Sequence, residues 1–251
     1  MSNGSGRRAK IVVDGLTKRF GELLVLDDIS FEVGDGEFLA IVGPTGCGKT
    51  TFLNCLSKLT PTSQGNIFIE GEVADPKKHN ISFVFQEPTC MPWRTVRENV
   101  AYGMEVKHFA KEKLNERVDY MLDLVGLTST ENLYPNQVSA SMIQRITVAR
   151  AFAVDPDLLL MDEPYGQLDV KLRFYLEDEL IRLWQTLKST VIFVTHNIEE
   201  AVYVAERILV LSNKPTKIKA EVKVDLPRPR SFLDPSFVEI RKHVTELIRW
   251  W

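Results

Sequence analysis

The chain has 251 residues, 44% hydrophobic and 26% charged, with 14 glycines and a formal net charge of -3. This composition suits one large α/β domain or two modest lobes and excludes a disordered or fibrous protein. Lysines and arginines are scattered among carboxylates and form no basic stripe, which argues against nucleic acid as a partner. No apolar run approaches the roughly 18 residues needed to cross a bilayer, and residues 1–10 are polar, without the apolar core of a signal peptide. The chain is therefore expected to stay in the cytosol. Cys47 and Cys55 lie about 12 Å apart along a predicted helix start, too far to bridge, so reduced thiols are expected.

In chain order, alternating apolar residues at 11–13 and 29–33, punctuated by Gly15, Gly21, Gly34 and Gly36, predict a short antiparallel sheet. A buried strand at 38–42 runs into a glycine-rich turn and a helix over 49–59. Strands are predicted at 66–70, 81–85, 158–162, 191–195 and 208–211, and helices at 111–125, 142–154, 171–187 and 198–205. Strands alternating with helices imply a mostly parallel, helix-covered sheet. Residues 87–153 break that rhythm and are expected to form an inserted helical lobe. Two prolines in 226–229 mark a break before a last amphipathic helix over 235–251, which divides the chain into a flexible start (1–10), a main domain (11–225) and a C-terminal segment (226–251).

The run Gly43-Pro44-Thr45-Gly46-Cys47-Gly48-Lys49-Thr50 matches the eight-residue phosphate-binding loop in its required strand-to-helix context. Its glycines let successive N–H groups and a helix N-terminus converge on phosphate oxygens. In such a loop Lys49 bridges the β- and γ-phosphates of ATP and the Thr50 hydroxyl binds Mg²⁺. A second acid is needed for the metal, and strand 158–162 delivers Asp162 at its C-terminal end, where ligands gather in open α/β sheets. Glu163 follows as the candidate for polarising the attacking water. A solvated Asp-Glu turn is the bland alternative. It is weakened by Gln86 and His196, which also close strands, Gln86 within reach of Mg²⁺ and water and His196 within reach of the γ-phosphate.

Gly43 to Thr51, Gln86, Tyr134-Pro135-Asn136-Gln137-Val138-Ser139, Gln144-Arg145, Ala149-Arg150-Ala151, Leu160-Met161-Asp162-Glu163-Pro164, Leu168-Asp169 and Val194-Thr195-His196 occur in the order and spacing of an ABC ATPase. The chain resembles that family over nearly its whole length. The resemblance implies a P-loop NTPase fold with a mostly parallel core sheet, an N-terminal antiparallel β subdomain and an inserted helical subdomain. It implies that Ser139, Ala140 and Ser141 form the signature facing the ATP of an opposite subunit, that Asp169 belongs to the D-loop, and that Phe20 stacks on adenine. For Phe20, core packing at the end of the small sheet stays open as the other reading. It also implies a membrane permease, a second ATPase subunit and a solute-binding protein as partners, at the cytoplasmic face of the membrane. Pro92-Trp93, Thr95 to Val100, Thr195 to Ala201 and Leu226-Pro227-Arg228-Pro229-Arg230 resemble importer ATPases of the nitrate, sulfonate and taurine group.

The chain departs from the family pattern at the signature, normally Leu-Ser-Gly-Gly, which here reads Val138-Ser139-Ala140-Ser141. Two added Cβ atoms take space near a phosphate, and either would cost about 1 to 2 kcal/mol if its position required positive φ. A homodimer with slower turnover is expected slightly ahead of an asymmetric heterodimer; Gln167 is a second departure at the same interface. Cys47 has two readings, a thiol reactive near ATP or simple packing. The C-terminal helix, ending in Trp250 and Trp251, is expected to pack on the domain.

Overall fold

The computed structural model describes residues 8–166 and 170–248. Residues 1–7, Gln167, Leu168, Asp169, Trp250 and Trp251 lie outside the described residues, together with Arg249. Strands β1 (Ala9–Phe20) and β2 (Leu23–Gly34) form a hairpin, extended by β4 (Gln64–Ile69) and β5 (Glu72–Val73) into an antiparallel sheet ordered β2-β1-β4-β5. Strands β3 (Phe38–Val42), β6 (Ile81–Val84), β7 (Leu158–Asp162), β8 (Val191–Thr195) and β9 (Arg207–Leu211) are parallel, and β10 (Ile218–Lys223) pairs antiparallel at the edge, in the order β10-β9-β3-β8-β7-β6.

The central parallel strands β3, β7 and β8 are buried on both faces, which explains why they read as near-continuous apolar runs. Phe38, Ala40, Val42, Leu159, Met161, Val191 and Phe193 belong to one core. That core is covered by α2 (Val96–Val106), α3 (Lys111–Leu124), α4 (Ala140–Ala153), α5 (Val170–Leu187), α6 (Ile198–Val204) and α7 (Pro235–Ile248). Leu39, Ile41, Leu158, Leu160, Ile192 and Val194, the alternate positions, pack with the antiparallel sheet and α1 (Lys49–Leu56) in a second core. Burying side chains of this size stabilises the fold by about 1.5 to 3 kcal/mol each before the entropy of ordering is subtracted.

Several elements differ from the sequence expectation for local reasons. Helix α1 stops at Leu56, three residues early, and Lys58 takes φ 61°, which an α-helix cannot continue through. Strand β6 stops at Val84, so Phe85 and Gln86 belong to the loop after it. Strand β1 starts at Ala9, inside the segment expected to be flexible, because Ala9 pairs with Gly34 of β2 and Glu70 N–H donates to Lys10 C=O at 2.8 Å. Helix α2 falls within the expected helical lobe, at residues for which the periodicity gave no separate range; Thr95 caps it, its hydroxyl accepting from Glu98 N–H at 3.2 Å while Glu98 accepts from Thr95 N–H at 2.8 Å. That reciprocal cap is worth about 1 kcal/mol. Between β6 and β7 the chain builds α2, α3 and α4 and no strand.

Candidate functional site

The ladder register assembles the site. Val42 pairs with Thr195, Val194 with Asp162 and Met161 with Val84, so four parallel strands end on one rim of the sheet. The segments leaving that rim carry the phosphate loop, His196, Glu163 and Gln86, the geometry expected where ligands gather in open α/β sheets.

The loop itself is held tightly. Gly46 and Gly48 have φ of 77° and 115°, and a Cβ on Gly48 would stand 2.8 Å from Val25 Cγ1, so only glycine fits there. Cys47 N–H donates to Pro44 C=O at 3.1 Å, and Lys49 Nζ donates to the carbonyls of Gly43 (3.1 Å) and Pro44 (3.3 Å). The Cys47 side chain is only 2% exposed, packed in the second core, and burial pushes its thiol up. Of the two readings for Cys47, the structure favours packing.

Asp162 is 6% exposed at the end of β7. Burial pushes its carboxyl above the ordinary range; a hydrogen bond from Thr50 opposes this, Glu163 adds to it and Lys49 opposes it. Glu163 takes φ 44°, and its N–H is fixed to Val194 C=O at 2.8 Å. An L-residue in that conformation costs about 1 to 2 kcal/mol, strain held at the site by the β8 bond. The Glu163 carboxylate lies 3.7 Å from Lys49 Nζ through Oε1 and accepts from His196 Nδ1–H at 2.8 Å through Oε2. Because an ionised carboxylate only accepts, the imidazole donates in this pair. Gln86 is exposed, and a Cβ built on Gly166 would stand 3.9 Å from Glu163 Oε2 and 4.0 Å from Gln86 Nε2, which brings these three together.

Phe20 ends β1 with 51% of its surface exposed and Lys18 Nζ 4.7 Å from its ring centroid. Core packing is thereby excluded for Phe20. Ser139 caps α4, its hydroxyl accepting from Met142 N–H at 3.3 Å. Ala140 and Ser141 are the first residues of α4 and neither has positive φ, so the conformational cost considered for them does not arise. Ser139 and Ala140 are exposed.

Two supports were not foreseen from the sequence. Fully buried Asn99 ties the segment after Gln86 to α2: its Oδ1 accepts from Met91 N–H at 2.8 Å, and its Nδ2 donates to the carbonyls of Met91, Arg94 and Thr95. Arg150 on α4 donates to Thr89 C=O at 2.6 Å. Thr95-x-x-Glu98 was the available signal for the helix that carries Asn99.

A family profile described as ABC transporter matches residues 26–166. An uncharacterized ABC transporter ATP-binding protein of Methanocaldococcus jannaschii is 41% identical over 96% of this chain and 92% of its own length. The aliphatic sulfonates import ATP-binding protein SsuB of Bacillus cereus is 40% identical over 94% of both chains. Among solved structures, the ATP-binding cassette MJ0796, a dimer in a post-hydrolysis state bound to ADP and Pi, superimposes with a TM-score of 0.73 at 29% identity, over 86% of this chain and all of that one. CbiO1 of Clostridium perfringens has the same fold, with a TM-score of 0.77 at 21% identity over 86% and 89%.

Proposed function

This chain belongs to the ABC transporter family as an ATP-binding and ATP-hydrolysing subunit, and from that premise we propose how its residues divide the reaction. ATP lies between Phe20, the loop Gly43 to Thr51 and the signature of a second subunit. Lys49 holds the β- and γ-phosphates, Glu163 orients and polarises the attacking water, and His196 contacts the γ-phosphate while steadying Glu163. Ser139, Ala140 and Ser141 serve the ATP of the partner subunit; the D-loop assignment of Asp169, outside the described residues, rests on the resemblance alone. The observation that carries this reading is the Lys49–Glu163–His196 chain of contacts beside the phosphate loop.

Thr50, Asp162 and Gln86 would hold Mg²⁺. The oxygen donors fit a hard cation: a buried carboxylate, a hydroxyl bonded to it and an amide. When bound, the ion neutralises charge on the β- and γ-phosphates.

The subunit works as a peripheral protein on the cytoplasmic face of the membrane and energises import of a small anion, a sulfonate, nitrate or taurine, through a separate permease fed by a solute-binding protein. The sulfonate importer relative supports the solute class, and no helix of the described residues is long and apolar enough to span a bilayer itself. Residues near 86–93 receive the permease, supported by the exposed Trp93 and, just before the segment, Phe85. The body at 11–225, its helical insertion at about 87–153 and the C-terminal segment 226–251 form the working units of this scheme. A homodimer is the first reading. An asymmetric heterodimer is the second, favoured by Ala140 and Ser141.

The test is solute uptake into vesicles carrying the assembled complex. ATP-dependent accumulation of one of these anions, lost in Lys49→Ala, is expected; ATP hydrolysis with no uptake of any of them removes the solute assignment.

A further inference from the structure

Thr216 has no exposed surface, yet it carries a hydroxyl. It sits between β9 and β10, far from the phosphate loop in sequence, and its Oγ1 donates to the Cys47 carbonyl inside that loop. Its backbone is fixed on both sides by β2: Thr216 N–H donates to Val25 C=O at 2.9 Å, and Asp27 N–H donates to Thr216 C=O at 2.9 Å. Leu26 and Thr216 form a parallel bridge at this point. The hydroxyl is therefore a fixed donor presented by the antiparallel sheet to the loop.

The peptide joining Cys47 to Gly48 is planar and trans, so its carbonyl and its N–H point in opposite directions. Fixing the Cys47 carbonyl toward Thr216 turns the Gly48 N–H the other way, away from β2. Gly48 stands at the N-cap of α1 with φ 115°, pressed against the same wall: a Cβ there would meet Val25 Cγ1 at 2.8 Å and Thr216 Oγ1 at 3.7 Å. N–H groups at this end of a helix are the donors that receive a phosphate.

We infer that Thr216 is a positioning residue of the ATP site, its buried hydroxyl setting the orientation of the Cys47–Gly48 peptide so that the Gly48 N–H faces the phosphates. The inference rests on the reading of Gly43 to Thr50 as the ATP phosphate loop. It requires a hydroxyl and not bulk at position 216, because a valine of the same shape leaves the Cys47 carbonyl buried without its donor.

Thr216→Val and Thr216→Ser are compared with the unaltered protein by titration with MgATP and by steady-state hydrolysis, with melting temperature recorded. Thr216→Val is expected to weaken ATP binding and raise KM about ten- to a hundredfold, the range that losing one hydrogen bond to a charged phosphate costs, with kcat at saturating ATP within about threefold. Thr216→Ser is expected to restore binding to within about threefold of the unaltered protein. If the valine variant does not fold, Thr216→Ala takes its place in the comparison with serine. A folded valine or alanine variant that binds ATP as tightly as the unaltered protein, or a serine variant as weak as valine, overturns the inference while leaving the ATP site intact. Failure of the unaltered protein to bind ATP overturns the site reading and the inference together.

Discussion

His196 Nδ1 stands 2.8 Å from Glu163 Oε2, joining the residue after β8 to the residue after β7. The second oxygen of that carboxylate faces Lys49 at 3.7 Å. The Glu163 side chain is thus held from both sides, although its backbone is in a strained conformation. Removing the imidazole frees one side of the carboxylate and takes away the contact proposed with the γ-phosphate. His196→Ala is expected to lower kcat about a hundredfold or more with a much smaller change in ATP affinity, measured by phosphate release beside nucleotide titration. A variant that loses affinity instead of turnover would place His196 in binding alone.

The signature region gives a prediction in the opposite direction. Ala140 and Ser141 are ordinary helical residues, so their side chains occupy space without straining the backbone. Restoring Gly at both positions opens room for a phosphate at the start of α4, where Ser139 already caps the helix. The double variant Ala140→Gly, Ser141→Gly is expected to hydrolyse ATP several-fold faster as a homodimer, at the cost of about 1 to 2 kcal/mol in helix stability. Unchanged turnover per dimer would show that these side chains do not limit closure.

Glu177 on α5 is fully buried, and neither of its carboxylate oxygens has a hydrogen-bond partner among the described residues. Burial, reinforced by Glu200, pushes its pKa to about 9; Arg173 opposes this, and Asp178 and Glu199 add to it. Between about 4.5 and about 9 the folded state keeps a proton that the unfolded chain has released. Its contribution to stability therefore falls as pH rises through that window. Glu177→Gln removes the penalty, so the variant is expected to melt above the parent protein near pH 8, by an amount on the order of a few kcal/mol at most, and to converge with it near pH 4.5. Parallel melting curves across this range would contradict the assignment.

The parts of the fold written in contiguous residues were legible in the sequence. Strands β3, β7 and β8 are unbroken apolar runs, and the phosphate loop, Asp162-Glu163 and His196 follow directly from their ends. Their convergence required only parallel pairing in register. What was not legible depends on long-range contacts or on a single backbone angle. Thr216 reaches Cys47 across most of the chain with no local signature. The chain leaves α1 through Lys58, two residues past its end and with φ 61°, where no glycine announces the turn. The exposure of Phe20 depends on where the β1–β2 hairpin ends against its neighbours, and that could not be separated from core packing by spacing alone. Helix α2 carried a readable cap in Thr95 and Glu98, but its buried face includes the polar Asn99 between Val96 and Val100.

The central claim is that ATP closes two copies of this subunit around a site completed by Ser139, Ala140 and Ser141. Light scattering on Glu163→Gln protein with and without ATP tests it most directly, because the amide keeps the side chain's shape while removing the group proposed to polarise the water. The account predicts a monomer without nucleotide and a dimer with ATP. A variant that binds ATP yet stays monomeric at every protein concentration would contradict self-closure and direct the search to a second ATPase subunit with a glycine-bearing signature.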